Sequence, residues 1–181
     1  MNKKRLYLTD AVSDNRSREF ATAIYEAEEI EKYYGVKVKP GIVDEITINR
    51  KNFYNIFNED DKFIGYIGVT CFEKEDPEVE LYILKKFRKN GYAREVLTMF
   101  LSEIFKNGVN GKKIEKVTSS VRVENTASRK LMESCGFELN KEIGFCMKIL
   151  FDEDDELAGE PIELVHYFIT RQIFELNKRR N

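Results

Sequence analysis

The sequence predicts an α/β (α+β) domain built on one mixed, mostly antiparallel sheet flanked by helices on both faces. Three observations carry this. Residues 79–84 read Val-Glu-Leu-Tyr-Ile-Leu, a half-buried strand. Directly downstream, Ala93, Val96, Leu97, Phe100, Leu101, Ile104 and Phe105 recur at offsets of three and four, so a long helix turns one apolar face toward a sheet. Along the whole chain the signals run β, α, β hairpin, β–α, β–α and a closing β hairpin, an order that one layered sheet accommodates.

Residues 5–9 alternate as a first strand. Ser13 and Asp14 are capping candidates for a helix carrying Phe20, Ala23, Ile24, Ala27, Ile30 and Tyr34, stopped at Gly35. Segment 36–52 sets Pro40-Gly41 against an alternating 42–48 and has no assigned element. Residues 53–57 and 63–72 flank the polar turn 58–62 and form an antiparallel hairpin, in which Gly65 and Gly68 point to a bulge or close packing. Residues 73–78, with Pro77, lead into the central strand. Gly108 stops the long helix and Asn110-Gly111 turns the chain. Residues 114–123 form a further strand with Val117, Val121 and Val123 on one face. Residues 125–137 form a short helix, opened by the capping residue Asn125 and closed by Gly136. Residues 144–151 and 162–169 make the closing hairpin around the acidic loop 152–156. Residues 170–175 form a last turn of helix, and 178–181 fray.

A chain of 181 residues with 12% aromatic side chains suits a single domain, residues 1–181. A formal net charge of -2 removes any global basic field for nucleic acid, so phosphate recognition has to be local. No apolar run reaches membrane-spanning length, and the charged start Met1-Asn2-Lys3-Lys4-Arg5 lacks a signal-like apolar core, which points to the cytoplasm and to no membrane partner. Cys71, Cys135 and Cys146 are odd in number and widely spaced, as free core thiols are. The sole histidine, His166, lies in an apolar stretch and reads as a packing residue, without support for a histidine metal site or a Ser-His-Asp relay. The acidic loop lacks a calcium-binding spacing, so no metal is expected.

The chemistry concentrates between the central strand and the long helix. Four of the nine residues Lys85-Lys86-Phe87-Arg88-Lys89-Asn90-Gly91-Tyr92-Ala93 are cationic. A strand feeding a helix N-terminus leaves backbone N–H groups unpaired where the helix dipole is positive, and such a terminus attracts phosphate. Gly91 has no side chain to hold an anion away, and Ala93 keeps the first turn open.

Arg88-Lys89-Asn90-Gly91-Tyr92-Ala93 resembles the Arg/Gln-x-x-Gly-x-Gly/Ala motif of the GNAT superfamily of N-acetyltransferases. Asn125, Ser128, Leu131, Glu133, Gly136 and Phe137 match that family's later Asn-x-x-Ser/Ala-x-x-Leu-x-Glu-x-x-Gly-Phe pattern. Ser128 and the hairpin end Thr170-Arg171 are most similar to the branch that acetylates the N-terminal alanine or serine of ribosomal proteins. The resemblance implies acetyl-CoA as co-substrate and an amine acceptor, met in a monomer or homodimer. It also implies central strands that splay apart, with the pantetheine arm and the thioester carbonyl held by backbone at Tyr82, Ile83 and Leu84. Arg88, Lys89, Asn90, Gly91, Tyr92, Ala93 and Arg94 would hold the pyrophosphate. Asn125 would bond to the pantetheine or to a splayed strand.

For a general base, Glu78 and Glu80 point to one side of their strand because side chains alternate with period two. Comparison with the family favours Glu78 and the cleaner strand position favours Glu80. Both also read as solvated strand-end charges. The family often places a tyrosine acid at the position of Met132, which cannot donate a proton; Ser128 is the alternative, or a helix-start hydrogen bonder. The expected activity is acetyl transfer from acetyl-CoA to a primary amine, of a protein N-terminus or a small molecule, by direct attack in a ternary complex. The alternative is a non-catalytic acyl-CoA-binding module. Acceptor specificity is expected in the first helix and segment 36–52.

Overall fold

The computed structural model describes residues 5–14, 16, 51–70, 76–147, 150–151, 157–158 and 161–180. The helix expected over 20–34, nearly all of segment 36–52, Cys71 and the acidic loop 152–156 lie outside the described residues.

Seven strands form an open, mostly antiparallel sheet in the order β1 (Leu6–Asp10), β2 (Phe53–Asn58), β3 (Phe63–Thr70), β4 (Glu78–Ile83), β5 (Lys116–Arg122), β9 (Pro161–Thr170) and β6 (Glu138–Met147). Only β4 and β5 are parallel neighbours. A two-stranded ribbon of β7 (Leu150–Phe151) and β8 (Leu157–Ala158) stands apart.

The expected hairpin 53–72 forms with its irregularity beside Gly65. The β2–β3 register slips between Ile56, opposite Gly65, and Phe57, opposite Phe63. A Cβ on Gly65 would stand 1.9 Å from the Tyr82 carbonyl oxygen, so only glycine lets β3 lie this close to β4.

The long helix is α1 (Tyr92–Asn107), ended by Gly108 at φ 73 with its N–H on the Ile104 carbonyl at 2.9 Å. It buries Val96, Leu97, Phe100, Leu101, Ile104 and Phe105 in one core with Ile64, Ile67, Val79, Ile83 and Val117 from the sheet. Each such burial stabilises by roughly 1.5–3 kcal/mol, which fixes α1 across β3 and β4. The short helix α2 (Thr126–Ser134) starts where Asn125 Oδ1 accepts the Ser128 N–H at 3.2 Å, and it adds Met132 to that core.

Two sequence expectations are corrected at the C-terminal end. Strand β6 begins at Glu138 rather than 144, and its pairing with β9 slips between Asn140 and Ile143. The last turn of helix is a ten-residue helix, α3 (Arg171–Arg180), so residues 178–180 are helical rather than frayed. Three contacts explain it. Thr170 Oγ1 accepts the Ile173 N–H at 3.2 Å as a cap. Arg171 latches onto the lead-in to β5, its N–H on the Glu115 carbonyl and its guanidinium on the Ile114 carbonyl, both at 2.9 Å. Phe174 packs in the core, its ring 5.5 Å from that of Phe105.

The opposite face of the central strands carries a smaller cluster of Ala11, Phe53, Tyr66 and Tyr82, with Phe63 and Leu84 packed on it. The polar face described next continues from it.

Candidate active site

Strands β4 and β5 touch at one register pair, Glu78 and Thr118, with the Thr118 N–H on the Pro77 carbonyl at 3.0 Å. Beyond that pair they diverge toward their C-terminal ends, from which α1 and α2 start. The splay expected from the sequence is this gap.

Backbone groups of a strand alternate between its two neighbours. The Leu84 N–H bonds to the Ile64 carbonyl and the Thr70 hydroxyl to the Glu78 carbonyl, so the even-numbered groups of β4 face β3. The Pro77 carbonyl faces β5, and the odd-numbered groups, those of Leu81 and Ile83, therefore face the gap. Of the three residues expected to pair with a ligand's amides, Ile83 looks into the gap, while the backbone of Tyr82 and Leu84 looks at β3. Leu81 has its backbone groups on the same side as Ile83, since the direction of a strand's amides depends on which neighbour it pairs with.

At the narrow end of the gap the Glu78 side chain bridges the strands. Its Oε1 accepts the Ser120 N–H at 2.7 Å and so satisfies a β5 donor that has lost its strand partner. On the same side, Glu80 accepts the Tyr66 hydroxyl, and the Tyr66 and Tyr82 rings stack with centroids 6.0 Å apart. Ser120 Oγ lies 3.1 Å from Nδ1 of His166, its register partner on β9. His166 is thus a half-buried polar group beside the gap and not part of the apolar packing expected of it.

At the wide end, a single 3₁₀ turn (Lys85–Phe87) and two left-handed residues, Lys89 at φ 63 and Gly91 at φ 80, swing the chain from β4 into α1. Nothing lies within 4 Å of a Cβ built on Gly91. The first α1 bond runs from the Glu95 N–H to the Gly91 carbonyl, so the N–H groups of Tyr92, Ala93 and Arg94 have no intrahelical acceptor. Lys85, Lys86, Lys89 and Arg94 are exposed around them. Arg88 turns inward: its Nε donates to the Ile83 carbonyl at 2.8 Å, and its guanidinium sits 5.3 Å from the Tyr82 ring centroid. Asn90 folds onto its own turn, donating to the Phe87 and Arg88 carbonyls.

Arg5 is a further participant that sequence reasoning passed over. It donates to the Asn90 carbonyl, stacks 4.5 Å from the Tyr92 ring centroid and pairs with Glu95 at 3.6 Å, pinning the start of β1 to the turn. From Gly91 a groove of about 630 Å³ continues past Arg94 and Thr98 to Phe174 and Lys178 of α3.

At the start of α2 the Asn125 side chain spends its oxygen on the helix cap; among the described residues its amide NH₂ and the Ser128 hydroxyl have no hydrogen-bond partner. Arg129 bonds to the Val123 carbonyl at 3.1 Å and Tyr167 to Glu133 at 3.1 Å, which seats α2 on β9. Burial pushes the thiol of the free, half-buried Cys135 up, so it stays protonated and unreactive. Among the described residues no three His, Cys, Asp or Glu side chains stand together as a metal site, and no helix is long and apolar enough to cross a membrane.

The gap between β4 and β5 thus opens beside the glycine-led start of α1. The sequence model of the acetyltransferase (GNAT) domain matches residues 5–138. The chain therefore belongs to the GNAT acetyltransferase family, whose members are acetyl-CoA-dependent N-acetyltransferases. In fold it is similar to the spermidine N-acetyltransferase of Vibrio cholerae in complex with CoA and spermine, at a TM-score of 0.71 and 18% identity over 94% of this chain and 98% of that one. It is similar as well to a GNAT-family acetyltransferase of Bacillus anthracis, at 0.70 and 18% over 95% and 98%. A domain from Methanocaldococcus jannaschii matches at 0.66 and 16% over 92% and 98%. No curated protein matches the chain in sequence.

Proposed function

We propose that the protein transfers the acetyl group of acetyl-CoA to a primary amine by direct attack in a ternary complex. The observation that carries this is the gap itself: backbone groups of Leu81 and Ile83 turned away from β3 on one side, the glycine-led helix start at its wide end, and a carboxylate at its narrow end.

In this reading the N–H groups of Tyr92, Ala93 and Arg94, reached past the bare Gly91 and flanked by Lys89, hold the pyrophosphate. Leu81 and Ile83 pair with the pantetheine amides, and the Asn125 amide donates from across the gap. Tyr82, Leu84, Arg88 and Asn90 shape the turn and hold β4 in place. Bound acetyl-CoA supplies the thioester, and a gap-facing β4 N–H stabilises the charge developing on its carbonyl oxygen.

Glu78 receives the amine. Its Oε1 is fixed by the Ser120 N–H, which leaves Oε2 to accept from the ammonium, directly or through water, and to begin its deprotonation. Glu80, already bonded to Tyr66, is the second carboxylate. Ser128, with its hydroxyl uncommitted, is the donor assigned to the departing thiolate, since Met132 cannot serve.

Two acceptor classes follow from different observations. Ser128 and Thr170-Arg171 favour a peptide α-amine of the ribosomal-protein kind, and this is the leading reading. However, Thr170 and Arg171 also have architectural work as a cap and a latch. The names of the Vibrio cholerae structures favour a polyamine. The reading takes the chain as one domain, 1–181, acting in the cytoplasm as monomer or homodimer.

The test is release of free thiol from acetyl-CoA with a panel of Ala- and Ser-initiated peptides and of polyamines. Release with one class supports the reading and names the acceptor. CoA binding without release for any amine would leave a binding module.

A further inference from the structure

The chain holds one histidine, and it stands beside the gap. Cα register partners on adjacent strands share a face, so Ser120 and His166 project together on the side that also carries Glu78 and Glu80, and their side chains meet at 3.1 Å. The same serine gives its backbone N–H to Glu78 at 2.7 Å. One residue thus ties the receiving carboxylate to the imidazole, through its main chain on one side and its hydroxyl on the other.

We propose that Ser120 and His166 form a proton relay that drains the incoming amine. This rests on the acetyl-transfer reading and adds where the proton goes. The Ser120 hydroxyl stands between the carboxylate that holds the ammonium and the one imidazole of the chain, whose neutral form is a proton acceptor. The ammonium, held by Glu78, passes one proton to Ser120 Oγ while the hydroxyl proton of Ser120 moves to His166 Nδ1. The products are a neutral amine, an unchanged serine and an imidazolium. The amine nitrogen then forms the C–N bond to the acetyl carbon as the C–S bond breaks. Ser128 gives its hydroxyl proton to the thiolate and regains the second nitrogen proton, and His166 returns its own to solvent.

The surroundings of the imidazole are specific. From β5, Arg122 flanks Ser120 on this face and pairs with Glu124 at 3.2 Å; Lys116 lies farther along the strand, paired with Asp76 at 2.9 Å. From β4 come Glu78 and Glu80. From β6, Asn140 is the register partner of His166, with Glu138 and Lys141 on either side, and on β9 itself Leu164 and Phe168 flank it. Among these described groups Glu78 is the carboxylate joined to the imidazole through one residue, Ser120.

The relay accepts a proton only as neutral imidazole, so the pH profile of kcat/KM of the parent enzyme must carry a rising limb that depends on His166. The experiment measures that profile for the parent, His166→Gln and Ser120→Ala, with CoA affinity followed by calorimetry. His166→Gln is expected to keep CoA affinity, to lose the rising limb and to fall roughly 10²-fold near neutral pH. It should converge with the parent above the pH at which the acceptor deprotonates unaided, about 8 for a peptide α-amine and about 10 for a polyamine. The single imidazole also gives one NMR titration curve, and Ser120→Ala must displace its midpoint. A His166→Gln deficit that is the same at every pH, or a curve untouched by Ser120→Ala, overturns the relay alone. A parent that binds CoA and releases no thiol with any amine overturns acetyl transfer and the relay with it.

Discussion

The Glu78 carboxylate accepts the Ser120 backbone N–H at 2.7 Å across two strands that pair at a single register position. A side chain does the work of the missing ladder bond, and the gap beyond it stays open without an orphaned donor at its base. This separates two substitutions. Glu78→Gln keeps an acceptor for Ser120, so thermal denaturation should place its midpoint within a few degrees of the parent, while steady-state turnover falls by roughly 10²-fold or more. Glu78→Ala strands the N–H and should in addition cost about 1–3 kcal/mol in denaturant unfolding.

Two glycines with positive φ should answer differently to substitution. Gly65→Ala drives a methyl into the Tyr82 carbonyl 1.9 Å away and must push β3 from β4, so unfolding free energy should drop by more than about 3 kcal/mol. Gly91→Ala meets nothing within 4 Å and costs only the left-handed strain, about 1–2 kcal/mol. Gly91→Glu should unfold like Gly91→Ala yet weaken CoA binding by calorimetry tenfold or more, because a carboxylate then faces the pyrophosphate.

Acid stability should depend on Asp14. Burial raises its pKa, but the hydrogen bonds from the Thr9 hydroxyl at 2.7 Å and from the Arg16 side chain and N–H outweigh it and hold the carboxyl at about 2. A folded-state pKa below the ordinary value means that this contribution is present above about pH 4 and is lost as pH falls toward 2. Asp14→Asn should therefore be less stable at pH 7 by up to about 2 kcal/mol, and the difference from the parent should shrink on acidification.

The C-terminal helix should prove a fixed part of the core. Phe174→Ala should cost roughly 3–4 kcal/mol, and amide exchange in α3 should be slow through its middle. Fast exchange throughout 174–180 would contradict a docked α3.

The sequence announced those elements whose signal is local. The α1 stripe from Val96 to Phe105 repeats over about three turns and the helix ends at a glycine, and the two motif glycines Gly91 and Gly136 sit at the positive φ their turns require. The start of β6 escaped because Glu138-Leu139-Asn140-Lys141 is too polar to read as a strand until β9 lies beside it. The end of α3 escaped because Asn177 to Arg180 looks like a solvated tail, and its anchors, Ile114, Glu115 and Phe105, come from far upstream. In the site, the glycine turn and the two carboxylates were legible as residue types in a pattern. Which amides face the gap was not, since that depends on the pairing of β4 with β3. His166 was misjudged for a related reason: Val165, Tyr167 and Ile169 face the core, and the residue between them faces the other way.

The central claim is that the gap and the α1 start hold acetyl-CoA. Thermal denaturation of the purified protein with and without acetyl-CoA and CoA tests it most directly, because a ligand that binds only the native state must raise the midpoint. At a cofactor concentration about a hundredfold above Kd the rise should be roughly 5–10 °C, and Gly91→Glu should abolish most of it. An unchanged midpoint at millimolar cofactor would contradict the claim.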